Sequence, residues 1–208
     1  MTKKIVKNLL LVVWISFFLT SCIGIKADLT INKDTSGSLT MTYTVSKIIM
    51  DIGSEDQKRE NLLPLPINRE DFIKTFENIP GITLSDYSRK EDEENIYITA
   101  KITFKNFNDL NKIEAFRDQK LSLTHEGNQF ILKQKLAEKP DYPPTKEALQ
   151  MADTVFKNYK LEYIYHFPQK ITFHNQGEVL NDGKTLRYTI SIPQLLRLKQ
   201  DIFLIVKW

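Results

Sequence analysis

Apolar and polar residues alternate along most of this chain, which predicts a protein of β-hairpins. From Ile25 the pattern puts Ile25, Ala27, Leu29 and Ile31 on one face, with Lys26, Asp28, Thr30 and Asn32 on the other. Lys33-Asp34-Thr35-Ser36-Gly37 supplies turn chemistry. Leu39, Met41, Tyr43 and Val45 then alternate against Ser38, Thr40, Thr42, Thr44 and Ser46. The two stretches predict a hairpin with one buried face and one hydroxyl-rich, wet face. Residues 47–67 break the pattern with a charged run, Ser54 to Asn61, and the proline-punctuated Leu62-Leu63-Pro64-Leu65-Pro66-Ile67, predicting an irregular crossing.

The pattern continues beyond it. Asn68 caps a predicted helix, Arg69 to Asn78, that turns Phe72, Ile73 and Phe76 inward. A second hairpin is predicted over Ile82–Arg89 and Asn95–Lys105, with Ile96, Ile98, Ala100, Ile102 and Phe104 inside. A short helix follows over Asn108–Phe116, with Leu110, Ile113 and Phe116 inward, then a third hairpin over Lys120–Thr124 and Gln129–Leu136. The stiff connector Lys139-Pro140-Asp141-Tyr142-Pro143-Pro144 is a candidate internal boundary, near 140–144. A helix from Thr145 to about Lys157 gathers Ala148, Leu149, Ala152, Val155 and Phe156 on one side. Strands are predicted over Lys160–Phe167 and Lys170–His174, and over Lys184–Ile192, where Leu186, Tyr188, Ile190 and Ile192 face in. Ile202–Val206 is apolar on both faces. It predicts a central strand, either covered on both sides or flanked by strands, with alternating neighbours such as Lys184–Ile192. Helices alternating with hairpins imply an α+β fold: a mostly antiparallel sheet with about three helices packed on one face.

The start of the chain has a different pattern. Lys3, Lys4 and Lys7 precede an apolar run from Leu9 to Leu19, then Thr20-Ser21-Cys22. A membrane-spanning helix needs roughly 20 apolar residues, and this run fits the roughly 7–15 residue core of a secretory signal peptide instead. Leu19-Thr20-Ser21-Cys22 resembles the lipobox of bacterial lipoproteins. The resemblance implies a signal peptide over residues 1–21, cleavage before Cys22, and acylation of the Cys22 thiol and new amine. One acyl chain binds only marginally, at about 0.8 kcal/mol per buried CH₂, so two or three make the anchor durable. Ile23, where many Gram-negative lipoproteins carry an inner-membrane retention aspartate, favours an outer-membrane location if there is one.

The leader also changes the charge reading. The chain has 29 Lys and Arg against 26 Asp and Glu, and three of the lysines lie in the leader, so the remainder balances at 26 each. A balanced domain gives no electrostatic case for nucleic acid. Removing 21 of the 208 residues leaves 187, enough for one good core. Cys22 is the single cysteine, so none remains for a disulfide, a thiol nucleophile or a metal site.

Candidate chemistry is sparse, and no cofactor is implied. His166 and His174, eight residues apart on what reads as a hairpin, would need a third ligand to hold a metal and read as exposed strand residues; His125 stands at a turn. Glu91-Asp92-Glu93-Glu94 lacks calcium-loop spacing and reads as a solvated hairpin tip. No nucleophile elbow, Walker loop, zincin motif or dinucleotide fingerprint is present. The aromatic supply around Tyr159, Tyr163, Tyr165, Phe167, Phe173 and Tyr188 reads as core. The sharper alternative is an apolar groove between helix 145–157 and the sheet, lined by Leu149, Ala152, Phe156, Tyr163, Tyr165 and Phe167, suited to an acyl chain or a partner's strand.

Asp28-Leu29-Thr30-Ile31, the Lys33–Gly37 turn and Leu39-Thr40-Met41-Thr42-Tyr43 resemble the opening of LppM-type domains of bacterial envelope proteins. Gly177, Asn181-Asp182-Gly183-Lys184-Thr185 and the closing strand ending in Trp208 resemble their end. The resemblance implies an α/β envelope ectodomain, with lipid binding or host contact suggested and no catalytic residues to transfer. Relatives often continue into a C-terminal membrane helix; ending at Trp208 would leave the lipid as sole anchor. The expectation is a non-catalytic, lipid-anchored envelope protein that binds a lipid or a partner protein. It would be held on the outer side of the cytoplasmic membrane or in the outer membrane. A hydrolase acting on envelope material, with a carboxylate pair assembled only in the fold, is the alternative. Cys22→Ser is expected to abolish incorporation of labelled fatty acid and precursor cleavage; equal label on both proteins would overturn the anchor.

Overall fold

A computed structural model describes residues 24–47 and 66–208. The leader with Cys22 and the predicted crossing over 48–65 lie outside the described residues.

The first hairpin forms where the alternation placed it, as β1 (Ile25–Ile31) and β2 (Gly37–Ser46). Its turn is tied by Ser36, whose backbone N–H donates to the Asp34 carboxylate at 3.1 Å. Gly37 opens β2 where strands crowd: a Cβ there would lie 2.6 Å from Cζ of Phe104. The second hairpin, β3 (Ile82–Glu91) and β4 (Asn95–Phe104), sits beside the first because β4 pairs with β2 along its whole length. Ile96, Ile98, Ala100, Ile102 and Phe104 are all buried, as their period-two spacing demands.

α1 (Arg69–Phe76) starts after Asn68 and lies against β3, with the Phe72 and Tyr87 ring centroids 5.7 Å apart. It buries Phe72 and Phe76 but leaves Ile73 38% exposed, so the expected three-residue inner face narrows to two. With only eight residues, the helix presents a stripe too narrow for adjacent positions 72 and 73 both to face in. The segment entering it is held by the hydroxyls of Tyr43, which donates to the Pro66 carbonyl, and Tyr87, which donates to the Ile67 carbonyl at 2.6 Å.

The predicted helix over 108–116 splits into a 3₁₀ helix (Phe107–Lys112) and a single turn, α2 (Glu114–Arg117), and still buries Leu110 and Ile113. The third hairpin is β5 (Ser122–Glu126) and β6 (Gln129–Ala137). α3 (Lys146–Thr154) follows the proline-rich connector, capped by Thr145, whose hydroxyl accepts from the Ala148 N–H at 3.2 Å. Then come β7 (Lys160–His166), β8 (Phe173–His174), β9 (Glu178–Val179), β10 (Thr185–Ser191), the turn α4 (Ile192–Leu195) and β11 (Ile202–Lys207).

These strands form two sheets, a seven-stranded one in the order β3-β4-β2-β1-β7-β10-β9 and a four-stranded one in the order β5-β6-β11-β8. Every pairing among the described residues is antiparallel except β1 with β7, so the fold is the expected α+β with mostly antiparallel sheet. Two expectations about the C-terminal strands change. The stretch 160–174 is no hairpin, because Pro168 has no N–H to continue a ladder. The chain instead crosses between sheets, its Ile171 N–H donating to Gly183 O and its Thr172 N–H to Lys207 O, both at 2.8 Å. β11 is interior to its sheet, but its neighbours are β6 and β8; β10 belongs to the large sheet. Of the two alternatives for β11, the structure takes the second: strands flank it on both sides, while only one face is covered, with Leu204 and Val206 fully buried and Phe203 44% exposed.

The sheets face one another across a shared core. Leu29, Leu39, Tyr165, Phe167 and Leu186 of the large sheet side belong to one cluster with Leu123, Leu132, Leu136, Leu204, Val206 and Trp208. Trp208 closes the core, its ring 4.5 Å from that of Phe167 and 5.8 Å from that of Phe130 by centroid. Its indole N–H is buried with no hydrogen-bond partner among the described residues.

Deleting residues 201–208 therefore removes an interior strand and the closing tryptophan, and a cooperative melting transition is expected to vanish. Leu204→Ala is expected to cost about 2–5 kcal/mol, and Phe203→Ser, on the open face, to stay within about 0.5 kcal/mol. Urea unfolding of the two point variants measures the difference; equal losses would show that both faces of β11 are covered.

Candidate functional site

β7 presents Tyr163, Tyr165 and Phe167 inward at every second position, their rings 6.3 and 6.2 Å apart in near-parallel planes. The parallel register sets Ile25 beside Leu161, Ala27 beside Tyr163 and Leu29 beside Tyr165. Across β2, Leu39 and Met41 continue the same face, paired to Leu29 and Ala27. Opposite this wall stand Leu110 of the 3₁₀ helix, Phe116 of α2, Leu121, and Gln134 of β6. Between them lies an apolar cavity of about 180 Å³, bounded at its β1 and β7 ends by Ile25 and Leu161.

Both tyrosine hydroxyls and the Gln134 amide in its wall are paired. Tyr163 donates its hydroxyl to the Leu136 carbonyl at 3.3 Å, and Tyr165 donates to Oε1 of Gln134 at 2.7 Å. Gln134 in turn donates its amide to Oε1 of Gln119 at 2.8 Å. None of the lining residues carries a charge. A ligand in this space would meet mainly hydrocarbon and ring faces; the arrangement suits an apolar guest.

The six residues expected to line one groove do not come together. Tyr163 and Tyr165 line the cavity, while Phe167 lies beyond it in the core against Trp208. Ala152 is buried under α3, and Phe156 packs edge-on to Tyr159 at 5.5 Å. Leu149 faces a separate depression of about 680 Å³, open to solvent, between the proline-rich connector and residues 196–199. The reason is that α3 is short and lies beside α4, tied by Arg197 to Asp153 at 2.7 Å, with Met151 and Val155 exposed; the cavity's other wall comes from the 3₁₀ helix, α2 and β6. The cavity residues the sequence reading missed carry only weak signals: Ile25, Ala27, Leu29, Leu39 and Met41 were read as the buried face of the first hairpin, and nothing marked that face as incompletely filled.

The histidines separate as well. His174 sits on β8 in the small sheet and His166 on β7 in the large one. His166 is half-buried in a chain of polar contacts: Nε2 stands 3.1 Å from Asp28 Oδ1, and Nδ1 is 3.2 Å from Thr185 Oγ1. The Thr185 hydroxyl donates to Asp182 at 2.6 Å. A threonine nucleophile needs its proton directed at the histidine; here the proton points away, and the contacts tie β1, β7 and β10 together. Asp28 is 138 residues from His166, a separation that no spacing motif detects. At the acidic tip, Asp92 accepts from the N–H groups of Glu94 and Asn95 and from the Tyr97 hydroxyl, acting as the turn's own brace.

Burial raises the cavity tyrosines. Desolvation, with a smaller contribution from Tyr188, pushes the Tyr163 phenol up to about 12, and desolvation holds Tyr165 well above the ordinary value. The unfolded chain ionises its tyrosines near about 10. Stability is therefore expected to be level below that value and to fall as pH rises toward about 12. Absorbance titration of tyrosinate alongside near-ultraviolet circular dichroism tests this. Tyr163 and Tyr165 should ionise only as the tertiary signal is lost, and full ionisation near the ordinary value with that signal intact would contradict their burial.

No family model and no curated protein matches this chain. Among solved structures, the chain is similar to the NMR structure of the Mycobacterium tuberculosis LppM folded domain, at 13% sequence identity and a TM-score of 0.47, with 89% of this chain and 88% of that one covered.

Proposed function

We propose that this chain is a lipid-anchored envelope protein, tethered by acylated Cys22, whose domain shelters the end of one acyl chain in the cavity between its sheets. The observation that carries the reading is the cavity's lining: thirteen side chains, none charged, with both tyrosine hydroxyls and the Gln134 amide turned to protein partners. Size sets what enters. Cavities of about 150 Å³ lined by aliphatic and aromatic groups stay dry and take a benzene-sized guest, whereas drug-sized ligands use roughly 300–1,000 Å³. At about 180 Å³ this space takes a chain end and leaves the headgroup outside.

Energetics favour an occupant. Each methylene transferred from water returns about 0.8 kcal/mol. A hydrolase acting on envelope material would need a carboxylate at the reacting bond, and no carboxylate lines this cavity.

Filling the cavity tests the proposal. Ala27→Leu places two-branched bulk into the space, so melting temperature is expected to hold or rise while affinity for a fluorescent long-chain fatty acid falls at least about tenfold, a loss of about 1.4 kcal/mol. Leu149→Ala, outside the cavity, is expected to bind as wild type does. Loss of binding in Leu149→Ala with none in Ala27→Leu would move the site to α3.

A further inference from the structure

Among the described residues, no helix or strand packs over β11 on the face of the small sheet turned away from the core. On β11 that face presents Phe203, Ile205 and Lys207, alternating with the buried Leu204 and Val206. On β6, Lys133 and Lys135 flank them, because Phe203 pairs with Lys135 and Ile205 with Lys133. β8 adds Phe173 opposite Lys207, whose ammonium stands 5.9 Å from the Phe173 ring centroid. Phe173 and Phe203 are 47% and 44% exposed, and so are among the few large apolar side chains left in water. Lys199 stands beside Phe203 at the rim.

The face carries both signs, with Glu138 and Asp201 at its Phe203 end and lysines without an acidic partner along the rest. Glu138 answers Lys135 at 2.9 Å, and Asp201 accepts the Lys139 backbone N–H at 3.1 Å. Lys133, Lys199 and Lys207 have no acidic partner within salt-bridge distance among the described residues. A domain with balanced charge overall thus carries a local strip of ammonium groups interleaved with phenyl rings. That pairing suits an interface with anionic headgroups outside and acyl chains beneath, where rings enter and lysines stay at headgroup level.

Position agrees with chemistry. Gly24 runs directly into Ile25, which pairs with Leu161; two residues along β7, the Tyr163 hydroxyl touches the Leu136 carbonyl; and the next residue, Ala137, pairs with Ile202 beside Phe203. The tethered end of β1 and the Phe203 end of β11 therefore lie at the same end of the molecule, separated by about one sheet-to-sheet spacing of ~10 Å. A tether at the N-terminus would hold this end of the molecule near the membrane surface.

We propose that the exposed face of the four-stranded sheet, centred on Phe203 and Phe173 with Lys133, Lys199 and Lys207, is a docking surface for an anionic lipid bilayer, which lays the tethered domain down on its membrane. The proposal rests on an N-terminal tether but not on the cavity's occupant. The test uses the acylated protein, whose Cys22 thiol is blocked by its lipid, with one free cysteine introduced at position 203 or, on the opposite face of the large sheet, at position 101. Each carries a small apolar fluorophore. In phosphatidylcholine vesicles containing phosphatidylglycerol and nitroxide-labelled acyl chains, quenching at 203 is expected to exceed that at 101 at least about twofold. The excess should shrink in pure phosphatidylcholine, and also at about 1 M salt, where the Debye length falls to ~3 Å. Adding Lys133→Glu and Lys207→Glu should abolish it with the melting temperature held. Flotation reports the tether separately. A chain that floats with equal quenching at both positions, or with an excess indifferent to lipid charge and salt, overturns the docking face while leaving the tether standing. A chain that fails to float with anionic vesicles overturns both.

Discussion

The interaction on which this structure depends is the ladder of three rings on β7. Tyr163, Tyr165 and Phe167 project from the large sheet, and each reaches a different point of the small one: the Leu136 carbonyl, the Gln134 amide and the Trp208 ring. A tyrosine spans the gap between sheets, which lie roughly 10 Å apart, and satisfies a polar group at its far end. Removing the ladder would leave two sheets with buried carbonyl and amide groups unpaired, at about 1–3 kcal/mol each. The same rings that join the sheets also hold them apart, and the 180 Å³ cavity lies beside them. Cavity and core are thus two outcomes of one strand's alternation.

The parallel pairing of β1 with β7 gives that ladder its second wall. It brings the first strand of the domain against a strand more than 130 residues later, and so places the N-terminal entry, the cavity's Ile25–Leu161 end and the Phe203 end of the small sheet near one another. Had β7 paired only with β10, the chain's start would hang from β2 alone. The contact also brings Asp28 to His166 across the outer surface of the same strand pair. For a protein proposed to work on a membrane surface, this long-range pairing links the tether to both candidate lipid contacts.

The hairpins were legible because their code is local. Ile96, Ile98, Ala100, Ile102 and Phe104 alternate without interruption, and a strand whose one face must be dry leaves no other register. Short helices were legible in position and less so in facing, as Ile73 illustrates. α3 departed furthest: its apolar stripe suggested a groove against the sheet, yet the helix sits beside α4 with Met151 and Val155 in water. An apolar stripe states that burial is favourable; it does not name the surface that provides it.

The amino-acid sequence by itself determined the local units: the alternating strands, the turn at Lys33–Gly37, the caps at Asn68 and Thr145, and a leader whose composition differs from all that follows. Only the tertiary structure decided how those units share two sheets, that β11 joins β6 and β8 instead of β10, and that Phe203 faces water. It alone decided that Tyr163 and Tyr165, but not Phe167 or Leu149, line a cavity. The physical reason is range. Alternation, capping and turn preference act over a few residues and are written in their order. Which strand pairs with which, and where packing stops short of filling space, depends on the shapes of side chains that meet only after the chain has closed over more than a hundred residues.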